Sequence, residues 1–273
     1  MHIEITIEAN EHQQEELISL LNDFNPEGYE QNDHALIAYF PAKEYDPGAM
    51  EQILHGFDHT SREIHEQNWN KVWESNFEPV IVDDFCAIRA EFHQPIRGVQ
   101  HEIVITPKMS FGTGHHATTH MMIQQMKDLV FQNKNVFDFG TGTGILAILA
   151  EKLGARDVIA IDVDDWSIEN AQENLYRNNC SHVQLSLNSS VPERQFDIIL
   201  ANINRNVILQ YQTDLIKATV KNRYLLLSGL LKADREVILD TFLSQGLSLE
   251  KELERNNWIS LLLKNEPDTE MSL

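Results

Sequence analysis

The chain has 273 residues, 42% hydrophobic and 8% aromatic, a globular composition sufficient for one large or two modest domains. Its 42 acidic and 21 basic residues give a formal net charge of −21, which disfavours free nucleic acid as a partner and either simply aids solubility or suits a basic protein. No apolar run approaches the ~18 residues of a membrane span. The N-terminus lacks a basic-then-apolar leader, and Cys86 and Cys180 form no disulfide framework or zinc pattern, so a cytoplasmic chain is expected.

Ile3, Ile5 and Ile7 alternate with polar residues, the period of a half-buried strand over 2–8. Residues 11–24 place Leu17, Leu21 and Phe24 at helical spacing, and Asn25-Pro-Glu-Gly28 is a turn. Strands are predicted at 28–32 and 35–40, a second helix carrying Met50, Ile53, Leu54 and Phe57, and a strand at 60–66. This β-α-β-β-α-β order is the ferredoxin-like pattern. Trp69, Trp73 and Phe77 then recur every fourth residue, which predicts one side of a short helix and a hydrophobic seam between domains.

Strands are predicted near 79–82, 85–91 and 101–106. From 117 onward helices and strands alternate: helix 117–131, strand 135–139, helix 144–153, strand 157–161, helix 166–178, strands 182–187 and 196–201, helix 206–220, strand 223–228, helix 232–245 and a hairpin over 247–264. That alternation is the mark of an α/β fold with a doubly wound sheet. Asn265–Leu273 is polar and reads as a tail.

Ligands in such a sheet bind beyond the carboxyl ends of the strands. The strand at 135–139 carries Asp138 and runs into Gly140-Thr-Gly-Thr-Gly144 before a helix begins. A dinucleotide fingerprint would place its third glycine at Ile145, and here it comes one residue early, which disfavours a nicotinamide cofactor. Asp162 ends the next strand, 22 residues beyond Gly140, where a carboxylate can accept from ribose hydroxyls. The Gly-x-Gly-x-Gly spacing with Asp138 ahead of it resembles the S-adenosylmethionine loop of class I methyltransferases.

Three further segments reach the same end of the sheet. Pro107–Thr119 holds two glycines, three threonines and the pair His115 and His116, but not the Lys-Ser/Thr ending of a phosphate loop. With no cysteine or carboxylate cluster beside them, the histidines read as loop anchors or as a base, and no metal is expected. The apolar strand at 196–201 ends in Asn202. Its side-chain oxygen, with a neighbouring carbonyl, can hold the hydrogens of an amine and fix its line of attack, whereas Asn204 is the better-placed helix cap. Asn188-Ser-Ser190 is a candidate for contacting an adenine, or a simple loop.

Taken in order, Ser110–Thr119, Phe137–Ala147, Ala160–Asp164, Ala201-Asn-Ile203 and Leu227-Ser-Gly-Leu230, with Asn68–Trp73 upstream, resemble the bacterial methyltransferases of large-subunit ribosomal protein eleven. Where that family usually reads Asp-Pro-Gly, this chain reads Thr106-Pro-Lys108. The resemblance implies a ferredoxin-like substrate-recognition domain over 1–66, a linker helix over 67–78, and a class I (Rossmann-like) methyltransferase domain over 79–264, then a tail over 265–273. It implies methyl transfer from S-adenosylmethionine to lysine ε-amines and the N-terminal α-amine of that basic ribosomal protein, by a monomer without nucleic-acid specificity. The implied cofactor-binding residues are Thr119, Gly140, Asp162 and Asn202, to which the loop reading adds Asp138 and Gly142; Asn202 is the candidate catalytic residue. A glutamine amide or nucleobase acceptor would favour prolines and an aromatic after the asparagine, which Ala201-Asn-Ile-Asn204 lacks. A non-catalytic, ribosome-associated cofactor-binding factor is the remaining alternative.

Overall fold

The computed structural model describes residues 2–21, 24–32, 34–64, 77–107 and 114–267, and the chain divides into two compact units, Met1–Asn76 and Phe77–Leu273. The first unit runs β1 (His2–Glu8), α1 (Glu11–Leu21), β2 (Gly28–Gln31), β3 (Ala35–Pro41), α2 (Pro47–Ile53) and β4 (His59–Ile64). Its antiparallel sheet has the order β2-β3-β1-β4, the ferredoxin-like arrangement. The alternation in β1 sends Ile3, Ile5 and Ile7 into one core with Leu36, Ala38, Phe40, Leu17, Leu21, Met50 and Leu54. Asp46 starts α2 by accepting from the amides of Gly48 and Ala49 at 2.9 and 3.2 Å, with Pro47 in the first turn.

Trp69 and Trp73 lie outside the described residues. Phe77 is not helical: it packs into the core of the second unit, 4.8 Å edge-on from the ring of His115. The interior of that unit therefore takes a residue read as part of the linker.

In the second unit, β5 (Val80–Val82), β6 (Cys86–Ala90) and β7 (His101–Ile105) form a small sheet. Next come α3 (Ala117–Met126), β8 (Asn135–Phe139), α4 (Ile145–Lys152), β9 (Asp157–Asp162), α5 (Asp165–Arg177), β10 (Val183–Leu187) and β11 (Phe196–Asn202). The chain continues through α6 (Arg205–Gln210), α7 (Gln212–Ala218), β12 (Thr219–Leu231), α8 (Arg235–Leu243), β13 (Leu247–Arg255) and β14 (Trp258–Asn265). The large sheet has the order β10-β9-β8-β11-β12-β14-β13, with β14 antiparallel to its neighbours and the strands from β10 to β12 parallel.

Both faces of this sheet are covered, which is why its strands read as continuous apolar runs. Val136, Ile198, Leu200, Leu226 and Leu262 face one layer with Met122, Met126 and Ile145–Ala150. Phe137, Phe139, Ile199, Ala201, Leu225 and Leu227 face the other with Ile208, Leu215, Ile238 and Phe242. Each fully buried Phe, Leu or Ile contributes ~1.5–3 kcal/mol. The helix expected over 206–220 is two helices that meet at Tyr211, whose ring turns edge-on to Phe139 at 5.2 Å. Asn256 and Asn257, both at positive φ, make the two-residue turn between β13 and β14. Asn265, expected to open the tail, closes β14, and its buried amide donates to the Thr219 carbonyl at 2.6 Å.

Candidate active site

The order β9-β8-β11 reverses the direction in which successive strands are added, and a crevice opens beyond β8 at that reversal. There Gly140, Gly142 and Gly144 take φ of 75, 53 and 80°, so the backbone turns sharply between β8 and α4 without side chains in the way. Two amides of the turn, Gly140 and Thr141, donate to the Ile161 carbonyl at the end of β9, each at 2.9 Å. Asp162 braces the turn from the same strand: its carboxylate accepts from the amides of Gly142 (2.8 Å), Val163 (2.8 Å) and Asp164 (3.2 Å). A carboxylate offers about four acceptor positions, so Asp162 keeps capacity for a ligand hydroxyl.

A cavity of about 580 Å³ lies against this turn. Gly140, Gly142, Asp162 and Asn202 all border it, and Asn188 and Ser189 stand on the β10 side. Asp138 and Thr119 do not border it. Asp138 is buried beneath the turn, where its Oδ2 accepts from the Thr141 hydroxyl at 2.6 Å. Burial pushes this carboxyl up to about 7; the Asp162 charge also raises it, and the Thr141 hydroxyl works against both. Thr119, in the first turn of α3, is joined to the cavity wall through Asn202, whose Nδ2 donates to the Thr119 hydroxyl at 3.2 Å.

That bond fixes the Asn202 amide with its Oδ1 buried at the cavity wall and unpartnered among the described residues. An unpaired buried acceptor costs ~1–3 kcal/mol, so such an atom awaits a donor from a ligand. Asn204 does cap the next helix, accepting from the Val207 amide at 3.1 Å, and so leaves Asn202 free of that duty. The two histidines separate: His115 donates from Nε2 to the Glu78 carbonyl at 2.9 Å and anchors its loop, whereas His116 caps α3 and borders the cavity. Among the described residues no group of three or more His, Cys, Asp or Glu is placed to hold a metal. Ser110–Thr113 lie outside the described residues.

Sequence patterns did not point to the aromatic side of the cavity. Trp258, just after the Asn256-Asn257 turn, stands edge-on to His116 at 4.8 Å, and Tyr211 and Phe139 complete that wall. A signal existed in hindsight only for Tyr211, an aromatic in the middle of an otherwise aliphatic helix stripe. The open turn and the ribose-competent carboxylate fit a nucleoside, and the orphaned amide oxygen beside them fits an N–H donor.

Comparisons with known proteins agree with that fit. The family described as "Ribosomal protein L11 methyltransferase (PrmA)" matches residues 2–266. A ribosomal protein L11 methyltransferase of Porphyromonas gingivalis is 38% identical over 86% of this chain and 85% of its own length. One from Chlorobaculum tepidum is 35% identical over 96% of each. The crystal structure of ribosomal protein L11 methylase from Lactobacillus delbrueckii subsp. bulgaricus superposes with a TM-score of 0.64 at 27% identity, over 70% of this chain and 99% of that one. The fold is therefore that of a class I methyltransferase, S-adenosylmethionine is the methyl donor, and the chain belongs to the ribosomal protein L11 methyltransferase family.

Proposed function

We propose that this enzyme methylates lysine ε-amines and the N-terminal α-amine of ribosomal protein L11, with the roles of its site residues as follows. The observation that carries the reading is the Asn202 amide, held by Thr119 with its Oδ1 buried at the cavity wall and unpaired among the described residues. S-adenosylmethionine supplies, when bound, an electrophilic methyl group on a sulfonium. Gly140 and Gly142 leave room for it, Asp162 accepts from its ribose, and Asp138 and Thr119 support the turn and Asn202 from behind. Asn202 Oδ1 and the Ile203 carbonyl accept from the N–H groups of the incoming amine and aim its lone pair at the methyl.

An ordinary lysine, with a pKa of ~10.4, is under ~0.1% neutral at pH 7. A cationic neighbour in the cavity lowers that pKa by repulsion, and water carries the proton away. The ferredoxin-like unit is read as the part that recognises the protein substrate. The enzyme is read as a cytoplasmic monomer without nucleic-acid specificity, which its net charge of −21 supports.

The test is to incubate the chain with labelled S-adenosylmethionine and L11 and to map modified residues by mass. Wild type is expected to label amines of L11. Asn202→Ala loses one hydrogen bond of ~1.5–3 kcal/mol at the reacting end, so its kcat should fall ~10–150-fold. Undiminished turnover by that variant rules out the role given to Asn202.

A further inference from the structure

We propose that Ile203 is a positioning residue for methyl transfer, seated between Gly140 and Gly229 so that its place sets both the cofactor turn and the acceptor groups at the end of β11. The proposal rests on the methyltransferase reading of this cavity. All three residues border it. A Cβ added to Gly140 would fall 2.3 Å from Ile203 Cγ2. A Cβ added to Gly229 would fall 2.3, 2.7 and 2.9 Å from the Ile203 carbonyl oxygen, carbonyl carbon and amide nitrogen. Such separations are far inside van der Waals contact, so Ile203 occupies space that two side chains would otherwise fill. Its side chain fills the gap in the turn between β8 and α4, and its backbone fills the gap in β12.

The flanking residues are fixed independently. Asn202 is tied to Thr119, and Asn204 caps α6. Arg205 pairs with Asp234 at 2.8 Å, and Asp234 also accepts from the Leu231 amide at 2.9 Å at the end of β12. The peptide carrying the Ile203 carbonyl thus has its position set by packing on one glycine and its neighbours set by hydrogen bonds. A shift of the glycine turn on the cofactor side would press on the Ile203 side chain and move the acceptor groups with it.

The two contacts differ in kind, which makes the seat testable in the full chain. Gly140→Ala collides with a side-chain atom, and Gly229→Ala collides with backbone. Calorimetry with S-adenosylmethionine and single-turnover transfer to L11 are measured for each variant, with Tm as a check on folding. Gly140→Ala is expected to weaken cofactor binding about tenfold, as overpacking of this kind does. Ile203→Ala added to it should recover the part of that loss that comes from the collision, while the strain of alanine at φ 75° stays. Gly229→Ala should lower the transfer rate about tenfold or more, and Ile203→Ala should recover none of it. Ile203→Leu keeps the volume but removes Cγ2, so it needs no glycine variant to fold. It should lower kcat by more than it raises the cofactor Kd.

The proposal is overturned if Ile203→Ala leaves the Gly140→Ala binding defect unchanged, if it rescues both glycine variants equally, or if Ile203→Leu leaves kcat at the wild-type value. A wild-type chain that transfers nothing to L11 overturns instead the acceptor reading beneath it, and the binding measurements then decide the seat alone.

Discussion

Asp138 is the clearest case of a residue whose chemistry follows from its surroundings. Buried under the glycine turn, its carboxyl is pushed up to about 7 from the ordinary value of 3.8. Across that interval the folded chain holds a proton that the unfolded chain releases, so folding stability from this group is complete below pH ~4 and is lost as pH rises through ~7. Asp138→Asn keeps an oxygen for the Thr141 hydroxyl and removes the titration. The Tm of wild type should therefore fall relative to that of Asp138→Asn between pH 4 and 8; parallel profiles would show that Asp138 does not titrate there. At this scale the sequence was readable in part. The spacing of Gly140, Gly142, Asp162 and Asn202 locates groups that border the cavity, because strand ends in a parallel sheet point to one crevice. The same spacing does not say that Asp138 and Thr119 stand behind the wall, since that depends on which way each side chain leaves its element.

Helix α5 shows what periodicity reveals and what it hides. Spacing predicts an inward face of Ile168, Ala171 and Leu175; Ala171 and Leu175 are buried, and Ile168 is only partly so. Asn170, Asn174 and the capping Asn178, also four apart, are buried too, which an apolar periodicity cannot show. Asn174 accepts from the Thr106 amide at 2.8 Å and donates to the Thr143 carbonyl at 2.9 Å. Asn178 accepts from the Val104 amide at 3.0 Å and donates to its carbonyl at 2.7 Å. These side chains pair the free edge of β7 as another strand would, and they join it to the glycine turn. Asn174→Leu strands two buried backbone groups at ~1–3 kcal/mol each, so a loss of ~2–5 kcal/mol is expected. Urea unfolding should show it as a lower midpoint at unchanged slope. The break at Tyr211 was equally hidden, because neither glycine nor proline marks it and only the fit against Phe139 explains it.

The chain as a whole carries a charge of −21, and its proposed substrate is basic. Attraction of that kind is long-ranged and fades as the Debye length shrinks from ~10 Å at 0.1 M salt to ~3 Å at 1 M. KM for L11 should therefore rise severalfold between 0.05 and 0.5 M salt, with kcat nearly constant; a flat KM would assign recognition to apolar contacts. Among the described residues the order of helices and strands was legible apart from the break at Tyr211, because most helices bury an apolar face and the sheets alternate or run apolar accordingly. The order of strands within the large sheet was not, since local patterning does not name a strand's neighbours. That order leaves β13 at one margin, and its outer residues are charged and engaged: Lys251 with Asp128 at 2.6 Å, Glu252 with Arg235 at 2.9 Å, and Glu254 with Lys232 at 2.8 Å. An open margin of this length would otherwise template the addition of strands from other molecules. The same charges that decorate β13 thus act as a barrier to sideways self-assembly, and replacing Lys251, Glu252 and Glu254 together by threonine should make concentrated solutions scatter light while the wild type stays clear.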